Sequence, residues 1–315
     1  MLSSRRAMLA AMAASAVAGC ASPVSAIRGG PSPALPRVTG GGVTGRGAAG
    51  GGATGGGTPS LAATPAAPAA APAVTRAQVV ARYGRLAPRT WGFDAAGVVQ
   101  VLPAAGRVIA LTFDACGGPG GSGYDQGLID FLRHREVPAT LFLNARWIDA
   151  NPAAFRRLAA EPLFEIGNHG TRHRPLSVTG RSAYGIPGTR NAGEVYDEVA
   201  GNHVKLTRLM GVPPRFFRSG TAYYDDVAAR IVTDLGERAV SFSVNGDGGA
   251  TFTPEQVRVT VTAASRGSVV IGHMNHPEGG TARGIAAAVP ELLASGHRFV
   301  RLSDELATGA RRGQT

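Results

Sequence analysis

From residue 75 onward the chain alternates short apolar runs with segments of helical spacing. Arg107-Val-Ile-Ala-Leu-Thr-Phe113 is a run of strand length that stops at Asp114 and a Gly-rich turn. Over 126–135, Leu128, Ile129, Phe131 and Leu132 fall on one side of a helix. Ala139 to Leu143 reads as the next strand, and Asn151-Pro152 opens a further helix with Asn as N-cap and Pro in its first turn. The pattern then predicts a strand over 163–166, a helix over 194–210 ended by Gly211 and Pro213, a short strand at Phe216-Phe217 and a helix over 225–235. A strand over 239–244, a helix over 254–264, a buried strand over 268–271, a helix over 284–294 and a closing strand over 297–302 complete the series. Alternation of this kind predicts an α/β domain with a parallel sheet, either a barrel or an open doubly wound sheet. No Gly-x-Gly-x-x-Gly or Walker-type turn follows the first strand, which argues against a nucleotide cofactor.

The first seventy-four residues follow other rules. Residues 1–19 read as an export signal: Ser4-Arg5-Arg6 gives the positive start, and Met8 to Val17 gives an apolar run too short to span a bilayer. The run ends in Val17-Ala18-Gly19-Cys20, which resembles a bacterial lipobox with Cys20 as the lipidated residue, and the twin arginine resembles a Tat-type signal. An ordinary secretory signal cut near Ala26 is the plainer alternative. Residues 28–74 contain no aromatic and no acidic residue and are dominated by Gly, Ala, Pro, Ser and Thr. Such a stretch buries too little surface to offset the entropy of ordering it. The expected organisation is therefore a signal over 1–19, a tether over 20–74 with a reach of about 40 Å, an N-terminal extension over 75–104, a folded domain over 105–309 and a tail over 310–315. That places the domain in the cell envelope, held to a membrane through its N-terminal lipid only.

The chain has 315 residues and a formal charge of +11. Nucleic-acid binding is nonetheless a poor fit. Arg5, Arg6, Arg28, Arg37 and Arg46 precede the folded part, and setting those five aside lowers the charge from +11 to +6 without leaving a long basic run. Lys205 is the single lysine among 32 basic residues. With Cys20 consumed by lipidation, Cys116 stands alone and no intramolecular disulfide can form.

Polar residues gather where the strands are expected to end. Asp114 follows Ile109 to Phe113. Asn168, His169 and His173 follow Phe164-Glu-Ile166, Arg218 follows Phe216-Phe217, Asn245 and Asp247 follow Ser241 to Val244, and His273 follows Val269-Val-Ile271. In parallel α/β folds those ends share one rim. Histidines 169 and 173, four apart, would face the same way if the segment turns helically, and two imidazoles on one side suit a divalent metal.

Leu-Thr-Phe-Asp114, His169-x-x-x-His173, Phe217-Arg218 and Val269-x-Ile271-x-His273 stand in the order seen in polysaccharide deacetylases, and residues 105–305 resemble the NodB-homology domain of carbohydrate esterase family four. The resemblance implies a distorted, incomplete (β/α) barrel and metal-dependent hydrolysis of N-acetyl groups on an amino-sugar polymer. It implies Asp114 as general base, His169 and His173 as metal ligands, Arg218 as the group holding Asp114, Asp247 as the orienter of His273, and His273 as general acid. Family members carry a second aspartate after Thr-Phe-Asp as the third ligand; here Ala115 stands in its place. Asp114 itself, the Cys116 thiolate and Asp125 are the candidate replacements. As a ligand Cys116 would favour zinc; as a small buried hydrophobe it would be inert. Ser-Gly-Thr-Ala replaces the Pro-rich turn after Arg218, and Gly248 follows Asp247 where a tryptophan is usual. The expected activity is N-deacetylation of peptidoglycan or an exopolysaccharide. The alternatives are a catalytically impaired glycan-binding protein on the same fold and a hydrolase of a non-sugar amide.

Overall fold

The computed structural model describes residues 72–306 except Ala105. The export signal, Cys20, most of the tether and the tail lie outside the described residues. In chain order the elements begin with α1 (Arg76–Tyr83), β1 (Trp91–Gly92), β2 (Val108–Ala115), α2 (Gln126–His134), β3 (Ala139–Leu143), α3 (Ala145–Ala150) and α4 (Pro152–Ala160). They continue with β4 (Phe164–Asn168), α5 (Ala192–Met210), β5 (Phe216–Phe217), β6 (Tyr224–Asp225), α6 (Asp226–Asp234) and β7 (Arg238–Ala239). The last group is β8 (Val244–Asn245), α7 (Pro254–Thr262), β9 (Val269–His273), α8 (Thr281–Ala294), β10 (Arg298–Phe299) and α9 (Leu302–Leu306).

The main sheet runs in the order β7-β5-β4-β3-β2-β9-β8, and β10 pairs with the start of β2. Every pairing in it is parallel. All eight residues of β2 and all five of β3 and of β9 are buried, as expected of strands covered on both faces. Leu128, Ile129 and Leu132 of α2 pack with Phe155, Leu158, Val289 and Leu292 against one face of the sheet. Ala110, Phe142, Phe216, Val240 and Val269 form a second cluster with Leu102 and Leu302.

The sheet must curl. Strands β7 and β8 stand at opposite edges, yet only residues 240–243 separate them. Five Cα steps span at most roughly 18 Å, whereas seven strands laid flat would put their edges about 29 Å apart. The N-terminal extension sits in the resulting seam. Val99 pairs with Val240 and Val101 with Ser268, Val99 N donates to Ala239 O at 2.9 Å, and Ser241 N donates to Val99 O at 2.8 Å. The strand expected over 239–244 is two short strands, and between them Val240 and Ser241 pair with residue 99 while Val240 N still donates to Phe217 O at 2.9 Å. The architecture is an incomplete parallel barrel rather than an open doubly wound sheet.

The rest of the extension fastens to the outside. Thr75 caps α1 in a reciprocal capping box with Gln78. Val79 and Tyr83 pack against Val195 and Val199 of α5 and Ile231 of α6, and the Tyr83 hydroxyl donates to Asp234 at 2.7 Å. Strand β1 pairs antiparallel with β6, which sets the Trp91 ring 5.6 Å from that of Tyr223.

Candidate active site

Register decides which side chains meet. Asp114 lies opposite Phe142 of β3 on one side and His273 of β9 on the other. Leu143 lies opposite Asn168, and Asn168 opposite Phe217. Cys116, His169 and Arg218, each one residue past a strand end, therefore meet Asp114 and His273 along one rim. Two boundaries differ from expectation. Strand β2 runs through Asp114 to Ala115, and β9 includes His273, so both groups are held by ladder bonds rather than by a following turn.

Asp114 is 3% exposed and Arg218 fully buried. Arg218 Nη1 donates to Asp114 Oδ1 at 2.8 Å, and Nη2 donates to Ser241 O at 2.8 Å. The guanidinium carbon lies 4.2 Å from the centre of the Phe142 ring. A buried cation is thus compensated by a carboxylate, a carbonyl and an aromatic face. The second carboxylate oxygen, Oδ2, lies 3.5 Å from His169 Nε2.

His169 Nδ1 donates to Arg218 O at 2.9 Å. A carbonyl can only accept, so the tautomer is fixed and Nε2 carries the lone pair. Asn144, the N-cap of α3, donates to His169 O at 2.8 Å and Gly170 O at 2.9 Å and so pins the segment after β4. That segment is not helical: the imidazoles meet because Gly170 (φ 76°) and His173 (φ 61°) both take the left-handed conformation. Their ring centres lie 4.9 Å apart, nearly perpendicular. Gly220 makes room for this, since a β-carbon there would run into the His173 carbonyl.

Cys116, His169 and His173 offer one donor atom each, all within 4.8 Å of one another, and among the described residues they are the one such group of His, Cys, Asp or Glu. A zinc ion at usual bond lengths would separate its nitrogen and sulfur ligands by roughly 3.3–3.7 Å, near the 3.9 Å between Cys116 Sγ and His169 Nε2. His173 Nε2 is buried and makes no hydrogen bond within the protein. Burial, partly opposed by the Asp114 charge, holds the His169 ring below the ordinary imidazole range. Burial, followed by the His169 and Arg146 charges, holds His173 well below it. Neutral imidazoles beside a thiol, one with an orphaned nitrogen, suit a divalent metal.

Of the three candidate third ligands, the structure gathers Cys116 with the histidines. Asp114 is not in that group; its Oδ2 lies 3.5 Å from His169 Nε2. Asp125 is the N-cap of α2, accepting from Leu128 N at 2.9 Å, and lies outside the group. Its position just before an amphipathic helix already carries the capping signature.

His273 Nδ1 lies 3.0 Å from Asp247 Oδ1. Asp247 Oδ2 accepts from His273 N at 2.7 Å and from the Thr281 hydroxyl at 2.9 Å. Burial opposes ionisation of Asp247, but the His273 ring and these hydrogen bonds outweigh it and keep the carboxyl below its ordinary range. The His273 side chain is 11% exposed, whereas those of His169 and Arg218 are fully covered. The imidazole therefore stands toward the open side of the rim. A trio able to hold a metal, a carboxylate with one oxygen clamped, and an oriented imidazole are the kinds of group a hydrolytic site uses.

A sequence profile described as polysaccharide deacetylase matches residues 102–240. The chain is 30% identical over 237 residues to an uncharacterised protein of Streptomyces coelicolor, covering 74% of this chain and 81% of that one. It is 26% identical over 217 residues to a peptidoglycan-N-acetylglucosamine deacetylase of Bacillus cereus, covering 66% and 92%. Among solved structures, a peptidoglycan N-acetylglucosamine deacetylase is similar with a TM-score of 0.56 at 24% identity, over 65% of this chain and 91% of that one. A CE4 family pseudoenzyme from Bacillus anthracis is similar with a TM-score of 0.56 at 18% identity, over 70% of each chain. These two likenesses concern the fold, and they match the incomplete parallel barrel.

Proposed function

The chain belongs to the polysaccharide deacetylase family, and from that premise we propose that it is a metal-dependent hydrolase removing N-acetyl groups from an amino-sugar polymer of the cell envelope. The observation that carries the proposal is the meeting of Cys116, His169 and His173 donors within 4.8 Å beside an Asp114 carboxylate whose other oxygen is held by Arg218. Two relatives of known name, from Bacillus cereus and Listeria monocytogenes, are peptidoglycan-N-acetylglucosamine deacetylases. Peptidoglycan is accordingly the first substrate to test, and an exported polysaccharide the second.

Cys116, His169 and His173 would hold the divalent ion, and the thiolate favours zinc over harder ions. What the ion supplies when bound is Lewis acidity toward the acyl oxygen and toward water. Asp114 accepts the proton of the attacking water at Oδ2, because Oδ1 is engaged by Arg218. Arg218 keeps that carboxylate aimed, with its own position fixed by Ser241 O and the Phe142 ring. His273, oriented through Nδ1 by Asp247, carries its transferable proton on Nε2 and delivers it to the departing amine nitrogen. Acid and base come from the adjacent strands β2 and β9.

The envelope setting rests on Arg5-Arg6, the short apolar run, Cys20 and the Gly/Ala/Pro tether. Together they support an exported lipoprotein whose domain reaches glycan near its membrane.

Acetate release from peptidoglycan fragments and from chitooligosaccharides, measured with the metal content of the purified chain, tests the proposal. Metal at one equivalent with acetate release supports it. Metal-free protein inactive on every N-acetylated glycan after loading with zinc or cobalt would refute it. Ala115, in place of the family's second aspartate, favours a second reading, a catalytically impaired glycan-binding protein, and glycan retention without acetate release would establish that one instead. Acetate release from a non-sugar amide alone would point to the third.

A further inference from the structure

We infer that Glu198 is a positioning residue for His173, holding the turn 170–174 in the one shape that brings both imidazoles to Cys116. The inference rests on the reading of His173 as a metal ligand. Glu198 stands on α5, is 3% exposed, and aims its carboxylate into that turn. Its oxygens accept from Arg172 N at 2.9 and 3.0 Å and from Arg174 N at 3.2 Å. Its main-chain carbonyl accepts from Thr171 N at 3.0 Å and from the Thr171 hydroxyl at 2.9 Å.

The residue enclosed by these bonds is the one that needs them. His173 lies at φ 61°, a region disfavoured for any residue with a β-carbon unless its surroundings over-determine it. Its Nε2 makes no hydrogen bond within the protein, so that nitrogen does nothing to fix the turn. The turn opens at Gly170, where a β-carbon would collide with Glu198 Oε1, and is closed from the other side by Gly220. Glu198 is thus to His173 what the Arg218 carbonyl is to His169: the group that sets the ligand's direction without being a ligand.

Helix α5 has other means of staying in place. Asn191 caps it by accepting from Glu194 N at 2.9 Å, Gly211 ends it in the left-handed conformation, and Val195, Val199 and Leu206 are fully buried. Removing the carboxylate should therefore disturb the ligand more than the fold.

The test is titration of metal-free wild type, Glu198→Gln and Glu198→Asp with cobalt(II), following the thiolate-to-cobalt charge-transfer band, together with the thermal midpoint of each metal-free protein. Glu198→Asp keeps a carboxyl and shortens the reach, and so serves if Glu198→Gln does not fold. The expected result is a metal-free midpoint within a few degrees of wild type, cobalt affinity lowered about 10- to 100-fold, and a changed band in both variants. Wild-type affinity and an unchanged band in a folded variant would overturn the inference while leaving the Cys-His-His reading intact. Absence of a thiolate band in wild type itself would overturn the ligand assignment and the inference with it.

Discussion

Arg218 and Asp114, 104 residues apart in the chain, form a buried ion pair in which Nη1 donates to Oδ1 at 2.8 Å. The pair leaves the carboxylate asymmetric, with one oxygen held and the other turned toward His169. Asp114→Asn keeps an oxygen for Arg218 to bond but cannot take a proton from water. Acetate release should fall about 10²- to 10⁴-fold, while metal content stays at the wild-type level because Asp114 is not in the ligand group. Arg218→Leu strands the carboxylate in the barrel and should cost about 3–5 kcal/mol of stability, read by urea unfolding. An active Asp114→Asn enzyme would remove Asp114 from the role of base.

Cys116 should decide which metal the site prefers. Cys116→Ser leaves two imidazoles as the strong donors, and metal should be lost on dialysis because catalytic zinc sites use three protein ligands. Cys116→Asp supplies a hard oxygen in the same place and should shift preference away from zinc toward harder ions. Competition between zinc and manganese, read by elemental analysis of both proteins, checks this. Equal zinc retention by Cys116→Ser and wild type would show that the thiol is only a buried hydrophobe.

His273 and Asp247 make a prediction about leaving groups. An amine leaves poorly without a proton, whereas a phenolate leaves readily. His273→Ala should therefore lose about 10²- to 10⁴-fold on an N-acetylated sugar while retaining most of its activity toward an aryl acetate. Asp247→Asn, which removes the charge accepting at Nδ1, should follow the same pattern more weakly. Parallel losses on both substrates would mean that His273 does not act as the acid.

Much of this was legible from the chain alone, because the apolar runs fix where strands end and a parallel sheet makes those ends neighbours. The order of strands and polar residues alone places Asp114, His169, Arg218 and His273 on one rim. What could not be read depends on contacts far apart in sequence. At the break over 240–243 the chain pairs with Val99, some 140 residues earlier, and no local pattern announces it. The turn that brings His173 to His169 is left-handed rather than helical, and spacing of four suits either shape. Cys116 as ligand and Cys116 as filler are identical in sequence; only the approach of both imidazoles favours the former. Glu198 escapes notice because it acts on backbone amides, which every residue but proline has.

Beneath the rim, Glu237 offers a test by pH. It is 1% exposed, accepts from Asn168 Nδ2 at 2.9 Å, and lies 2.8 Å from His203 Nδ1. Burial outweighs these hydrogen bonds and pushes its carboxyl from an ordinary value of 4.5 up to about 7. A carboxyl raised in the folded state favours folding while it stays protonated. Its contribution is complete below about 4.5, erodes as pH rises toward about 7, and is flat above that. Glu237→Gln mimics the protonated form at every pH and lacks this slope. The stability of wild type minus that of Glu237→Gln should thus fall by about 3 kcal/mol between the ordinary and the raised value. Histidines 169 and 173 titrate alike in both proteins and cancel in the difference. Urea unfolding of the two metal-free proteins from pH 4.5 to 8 measures it, and profiles that run parallel would show that the Glu237 carboxyl is not raised in the folded protein.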